Sequence, residues 1–198
     1  AGFHSLYVEM VILVFMFLAG TSFVLHFSLI KGRFSEILHN REWRFYSLLI
    51  LVSILITALG IYFSGTENNF WTALRYAAFQ VVSITTTTGY VTANFELWPA
   101  FIRILLIFLM FAGGCSGSTG GGMKQIRLMI GTNFIVKEIK KATYPNAKFT
   151  LKLGNEKVSD DMLKNVIAFI LLFLMIFASG TLFLTFRGYD IVTAFSAS

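Results

Sequence analysis

The chain has 198 residues, of which 56% are hydrophobic and only 13% charged, with a mean hydropathy of +0.73. A soluble domain averages about 25% charged residues, so a soluble globular protein is excluded. The net charge of +6 and pI of about 9.6 would suggest nucleic acid for a soluble protein, but here the basic residues lie between apolar runs, where orientation in a bilayer accounts for them and no nucleic-acid partner is implied.

The first predicted element is an uncharged span from Met10 to Ile30, about as long as the 20 residues of helix that cross a bilayer. No basic segment precedes it, so it is not predicted to be a cleavable signal peptide. His26 lies in this span and reads as a packed or interfacial residue more readily than as a functional intramembrane histidine. His4, His26 and His39 are the only histidines, and they make no metal-ligand cluster. Lys31, Arg33, Arg41 and Arg44 separate the first span from a second, Phe45 to Thr66. Phe70 to Thr85 then predicts a half-helix, roughly 24 Å long at 1.5 Å per residue. From Thr86 the backbone is expected to return non-helically, which is tolerated at membrane depth only inside protein or along a watery cavity.

A third span runs from Ile104 to Met123 and a fourth from Asn165 to Phe186. Between them, Asn133 to Ala142 reads as helical, and 148–153 alternates polar and apolar before a turn at Gly154-Asn155. Ser159, Asp160 and Asp161 are expected to cap the fourth span. Gly188 to Ser196 resembles the start of another half-helix, comparable to Ala73 to Phe79. Thirteen Lys and Arg then fall on one side, and Arg75, Arg103 and Arg187 on the other. The larger group is placed in the cytoplasm. On this topology Arg75 shapes the ion field, pairs with an acid or reaches the outer surface, Glu67, Glu96 and Asp190 are outside, and Lys124 and Arg127 sit at the inner interface.

The expected organisation is an internal repeat of helix, half-helix and helix. Residues 1–30 are the last helix of a preceding repeat, 31–44 a cytoplasmic linker and 45–131 a complete repeat. Residues 132–161 are a cytoplasmic segment, and 162–198 open the next repeat. The fold class is all-α membrane protein, with a re-entrant segment and a glycine-broken third span. The chain is read as cut at both ends.

Thr85-Thr86-Thr87-Thr88-Gly89-Tyr90 is the most informative stretch. A dehydrated K+ needs oxygens in place of its water, and potassium channels supply them as backbone carbonyls from a T-V-G-Y-G strand. Glycine fits where the carbonyl must point inward at dihedrals that a Cβ opposes. Thr86, Thr87, Thr88, Gly89 and Tyr90 are therefore the candidate K+ ligands, although the second glycine of the channel pattern is missing. The alternative is a threonine-rich extracellular turn.

Six glycines fall within Gly113, Gly114, Cys115, Ser116, Gly117, Ser118, Thr119, Gly120, Gly121 and Gly122. Each costs a helix about 1 kcal/mol against alanine, and the total is comparable to the net stability of a domain. A loop within the membrane is expected, obstructing the pore as a gate, with Lys124 anchoring it. Gly113 and Gly117 also suit small-xxx-small packing. A phosphate loop is disfavoured because Gly122-Met123-Lys124 breaks the G-K-[ST] requirement. Gly114-Cys115-Ser116-Gly117 matches the GxSG of intramembrane serine proteases, but every histidine precedes Ser116.

Phe79-Gln80-Val81-Val82-Ser83-Ile84 before the Thr-Thr-Thr-Gly-Tyr run, then Leu97-Trp98-Pro99, then Gly113 to Lys124, resemble the third pore repeat of the TrkH/KtrB/HKT superfamily of potassium transporters, most closely its TrkH branch. Tyr144-Pro145-Asn146-Ala147 and Val192 to Ser196 extend the resemblance to nearly the whole chain. It implies four helix–pore–helix repeats around one pore, a glycine in each filter strand, homodimers, and a cytoplasmic ring of nucleotide-binding RCK subunits of the TrkA type. It implies a multi-pass protein of the bacterial cytoplasmic (inner) membrane that carries K+ and has no organic cofactor or enzymatic activity. By analogy Thr86 to Tyr90 are filter positions and Gly113 to Gly122 the gate. The chain would then hold the end of repeat two, repeat three and the opening of repeat four, and would need the remaining repeats to conduct. The rival expectations are a non-conducting truncated repeat with an assembly role, and an intramembrane protease.

Overall fold

A computed structural model describes residues 5–144, 152–153 and 156–197. Its helices are α1 (Leu6–Ala19), α2 (Phe23–Ile30), α3 (Phe34–His39), α4 (Arg41–Phe63), α5 (Phe70–Thr85), α6 (Ala100–Ala112), α7 (Gln125–Thr143), α8 (Asp160–Phe186) and α9 (Ile191–Ala197). A short 3-10 turn covers Phe95–Leu97, and β1 (Lys152–Leu153) pairs antiparallel with β2 (Glu156–Lys157). The predicted alternating strand otherwise falls outside the described residues. The chain forms two compact units that divide after Ile126.

Helix starts follow local chemistry. Asn40 Oδ1 accepts from Trp43 N at 2.9 Å to open α4, and Asn69 Oδ1 accepts from Trp71 N at 2.9 Å to open α5. In the second unit Ser159 Oγ accepts from Met162 N at 3.2 Å, with Asp160 and Asp161 in the first turn of α8. Such side chains satisfy amides that have no partner within the helix, and the acids face its positive end. Between α2 and α4, Glu36 accepts from Ser28 Oγ at 2.7 Å and pairs with Arg33 at 3.3 Å. The Ser28 hydroxyl first, and the Arg33 charge after it, hold the Glu36 carboxyl below its ordinary range.

Two helices, α4 and α8, are long and apolar enough to cross a membrane. They differ in burial. In α8 only Leu163 and Val166 are buried, and Leu171, Met175, Leu182 and Phe186 are exposed. The core of the first unit forms instead around α5, which is too short to span. Ala73, Ala77, Phe79, Val81 and Val82 of α5 pack in one cluster with Tyr46, Ile50, Ala58 and Ile61 of α4 and with Ile102, Leu106 and Leu109 of α6.

The expected first span, Met10 to Ile30, is not one helix. α1 and α2 meet at a bend of 108° across Gly20-Thr21-Ser22. The break is possible because each carbonyl that loses its helical partner finds another. Phe17 O accepts from Thr21 Oγ1 at 3.2 Å and from Tyr46 Oη at 3.1 Å. Leu18 O accepts from Thr21 N at 2.8 Å and lies 2.9 Å from His26 Nε2. Ala19 O accepts from Thr119 Oγ1 at 3.0 Å, and Gly20 O from Cys115 N at 2.8 Å. In a bilayer no water would satisfy these groups, so the bend depends on partners from α4 and from the glycine segment. His26 is thus a packed residue that closes the bend.

Tyr46 tests this. It is fully buried and stacked on Phe17 with ring centroids 5.2 Å apart. Tyr46→Phe is expected to cost about 1 kcal/mol, the net worth of one hydrogen bond, read as a lower Tm of the detergent-solubilised full-length protein. An unchanged Tm would mean that Thr21 alone satisfies Phe17.

Candidate functional site

α5 ends at Thr85 because the next residues turn out of the helix. Thr86 still has helical dihedrals (φ −83°, ψ −1°) and caps the end, while Thr87 has φ +57° and Gly89 φ +81°. The non-helical return therefore begins one residue later than expected. Ser83, buried in the last turn, organises the exit. Its carbonyl accepts from Thr88 N at 2.9 Å and from Gly89 N at 3.4 Å, and its hydroxyl donates to Tyr90 O at 2.7 Å. Thr85 and Thr86 are buried, and Thr87 to Tyr90 are exposed on the described chain.

The threonine hydroxyls are largely spent within the chain. Thr85 Oγ1 donates to Val81 O at 2.7 Å and Thr86 Oγ1 to Val82 O at 2.8 Å. Thr86 Oγ1 and Thr88 Oγ1 are 2.8 Å apart. Thr87 Oγ1 accepts from Gly121 N at 2.7 Å.

That bond joins the two candidate segments. α6 stops at Ala112 and the chain crosses as a loop before α7 begins at Gln125. The loop closes on itself where Gly113 (φ +67°) and Gly122 (φ +74°) meet. A Cβ on Gly113 would collide with the Gly121 carbonyl, and one on Gly122 would lie 2.8 Å from Gly113 Cα. Side chains are excluded there by both dihedral and space. Beside this closure, Gly120 lies against the carbonyl of Thr86, 3.1 Å from where its Cβ would be. The glycine segment therefore stands directly against the first residues of the threonine strand.

Many of its polar groups have definite partners. Ser118 Oγ donates to Cys115 O at 2.6 Å. Lys124 Nζ donates to Ser118 O at 3.3 Å and to Gly120 O, so its ammonium is turned onto the loop. Gln125 Nε2 donates to Gly113 O at 2.7 Å and Gln125 N to Gly114 O at 3.1 Å. Gly117 O accepts from Phe23 N at 3.0 Å, opening α2. Glu42 accepts from Ser116 N at 2.5 Å and from Ile126 N at 3.2 Å. Arg127, in the second unit, lies over the Phe169 ring at 3.9 Å.

Arg75 proves to be paired, with Glu9 of α1 at 3.4 Å, and also lies 4.8 Å from the Tyr76 ring centre. Among the described residues no group of three or more His, Cys, Asp or Glu is placed to hold a metal ion.

A mainly helical chain with apolar spans, a buried half-length helix and a hydrogen-bonded loop interrupting another helix defines a multi-pass membrane protein whose polar backbone is kept inside. A family model described as "TrkH: Cation transport protein" matches residues 67–198. The chain belongs to this family of cation transport proteins, which sets the protease reading of Gly114 to Gly117 aside. It is 34% identical over 98% of its length to the Trk system potassium uptake protein TrkH of Salmonella typhimurium, and 32% identical to that of Escherichia coli. It superposes on the crystal structure of the potassium transporter TrkH from Vibrio parahaemolyticus with a TM-score of 0.93, at 32% identity, over 99% of this chain and 42% of that one. The chain spans 41% of the length of the two curated relatives.

Sequence reasoning missed Glu42, Gln125, Gly20 and Tyr46. Gly20-Thr21-Ser22, three small residues in mid-span, signals the bend in α1–α2. Nothing local marks Glu42 or Tyr46, whose partners lie 74 and 29 residues away.

Proposed function

We propose that this chain forms part of a K+-conducting pore, with Thr86 to Tyr90 as one strand of its selectivity filter and Gly113 to Gly122 as its gate. α5 is then the pore helix, 45–131 one complete pore repeat, 1–30 the end of the repeat before it and 162–198 the start of the repeat after it. Further filter strands come from the rest of a protein longer than this chain. The partly negative C-terminal end of α5 favours a cation beyond it, and the carbonyls of Thr87 to Tyr90 are the oxygens offered to an ion without its water.

The observation that carries this reading is the contact between the two segments. Gly121 N binds Thr87 Oγ1 and Gly120 abuts Thr86 O. A loop in this place covers the inner end of the strand, so an ion leaving the strand inward meets it. The named relatives are potassium uptake proteins, which supports K+ as the transported ion. Assembly as a homodimer in the bacterial inner membrane, under a nucleotide-binding RCK ring of the TrkA type, accompanies this reading.

The test uses the full-length protein in liposomes, with K+ and Na+ flux measured separately. The intact protein is expected to pass K+ in preference to Na+, and deletion of Gly120 to Gly122 is expected to raise K+ flux. Equal passage of the two ions would overturn the filter assignment. Unchanged flux after the deletion would overturn the gate and leave the glycines a packing role.

A further inference from the structure

We propose that Glu42 is the positioning residue that holds the glycine loop in its obstructing conformation. This rests on the gate reading above. Glu42 is the second residue of α4, a 23-residue helix whose first turn is fixed by Asn40 and whose body packs into the core around α5. Its carboxylate therefore extends from rigid structure. It takes the Ser116 amide at 2.5 Å and the Ile126 amide at 3.2 Å. Ser116 lies in the loop, and Ile126 is in the first turn of α7, where amides have no helical acceptor and the helix end is positive.

One oxygen, Glu42 Oε1, thus ties the middle of the loop to the helix that leaves it. The loop has further tethers, among them Thr87 Oγ1 on the Gly121 amide. Lys124 and Gln125 bind loop carbonyls from the loop's own C-terminal end, and Ala19, Gly20 and Phe23 belong to the bent α1–α2 connection. Glu42 holds it from the rigid start of α4 through two amide bonds on one carboxyl oxygen. The loop's six glycines supply little rigidity of their own. For the loop to swing away from Thr86 and Thr87, or for α7 to shift, Glu42 must release one of its two amides.

The experiment compares Glu42→Ala and Glu42→Gln in the full-length protein in liposomes. Glu42→Ala removes both bonds and is expected to raise K+ flux about tenfold or more. Glu42→Gln keeps an acceptor oxygen of the same reach without the charge and should raise flux less. The K+:Na+ ratio should stay at the wild-type value in both. Cys115, fully buried in the loop, should react faster with a thiol reagent in the order wild type, Gln, Ala. General loosening of the fold would lower the ion ratio instead. Should Glu42→Ala fail to fold, the near-isosteric Glu42→Gln carries the test alone. Unchanged or reduced flux in the folded variants, with the deletion of Gly120 to Gly122 still raising it, overturns the role of Glu42 and leaves the gate standing. No effect from either overturns both.

Discussion

Gly89→Ser in the full-length protein is expected to lower K+ over Na+ discrimination by about tenfold. Space is not the obstacle, since nothing lies within 4 Å of a Cβ built on Gly89. The obstacle is φ +81°, a left-handed value that costs an L-residue about 1–2 kcal/mol. A serine escapes by rotating the peptide planes on either side, and those planes carry the carbonyls of Thr88 and Gly89. The strand cannot absorb the rotation elsewhere, because Ser83 holds it at the Thr88 amide and at Tyr90 O. About 1.4 kcal/mol of lost preference is tenfold. Competition of Na+ against K+ or rubidium uptake measures it, and competition identical to wild type would remove Gly89 from the filter.

The second large effect concerns the Glu9–Arg75 pair. Glu9 is buried on α1 and Arg75 partly so on α5, 3.4 Å apart. Removing one partner of a buried pair leaves the other charge uncompensated, at a cost of about 3–5 kcal/mol. Glu9→Ala is therefore expected to lower Tm sharply in the detergent-solubilised protein. Glu9→Leu combined with Arg75→Met should recover most of the loss, because apolar replacement of both partners is often near neutral. If the double variant is destabilised by the sum of the two single changes, the charges do not interact and α5 is placed by its apolar contacts alone. The pair links α1 to α5, the helix that ends at Thr85.

Some of the architecture was legible because it depends on local chemistry. Uncharged runs of about 20 residues marked α4 and α8. The length of Phe70 to Thr85 matched α5 end to end, since Asn69 caps its start and Thr87 and Gly89 leave the helical region after it. Glycine density located the break after Ala112. Two expectations fell short for a physical reason. The Met10 to Ile30 run reads as one span because hydropathy does not register a bend whose freed carbonyls are satisfied by Tyr46, Cys115 and Thr119. The expected helix at Asn133 to Ala142 begins earlier, at Gln125, because Glu42 supports its first turn from another part of the chain.

The family resemblance rested on motifs that are continuous in the chain, and it held. By itself the sequence determined the membrane class, the approximate places of the two long spanning helices, the half-length α5 and the place where glycine forbids a helix. Each of these is set by the side chains and dihedral preferences of neighbouring residues. Only the tertiary structure decided that the glycine loop lies against Thr86 and Thr87, that it holds the bend between α1 and α2, and that Glu42 binds its Ser116 amide. Those contacts join residues 34 to 100 positions apart, and an amide or carbonyl carries no mark in the sequence of the distant partner that satisfies it.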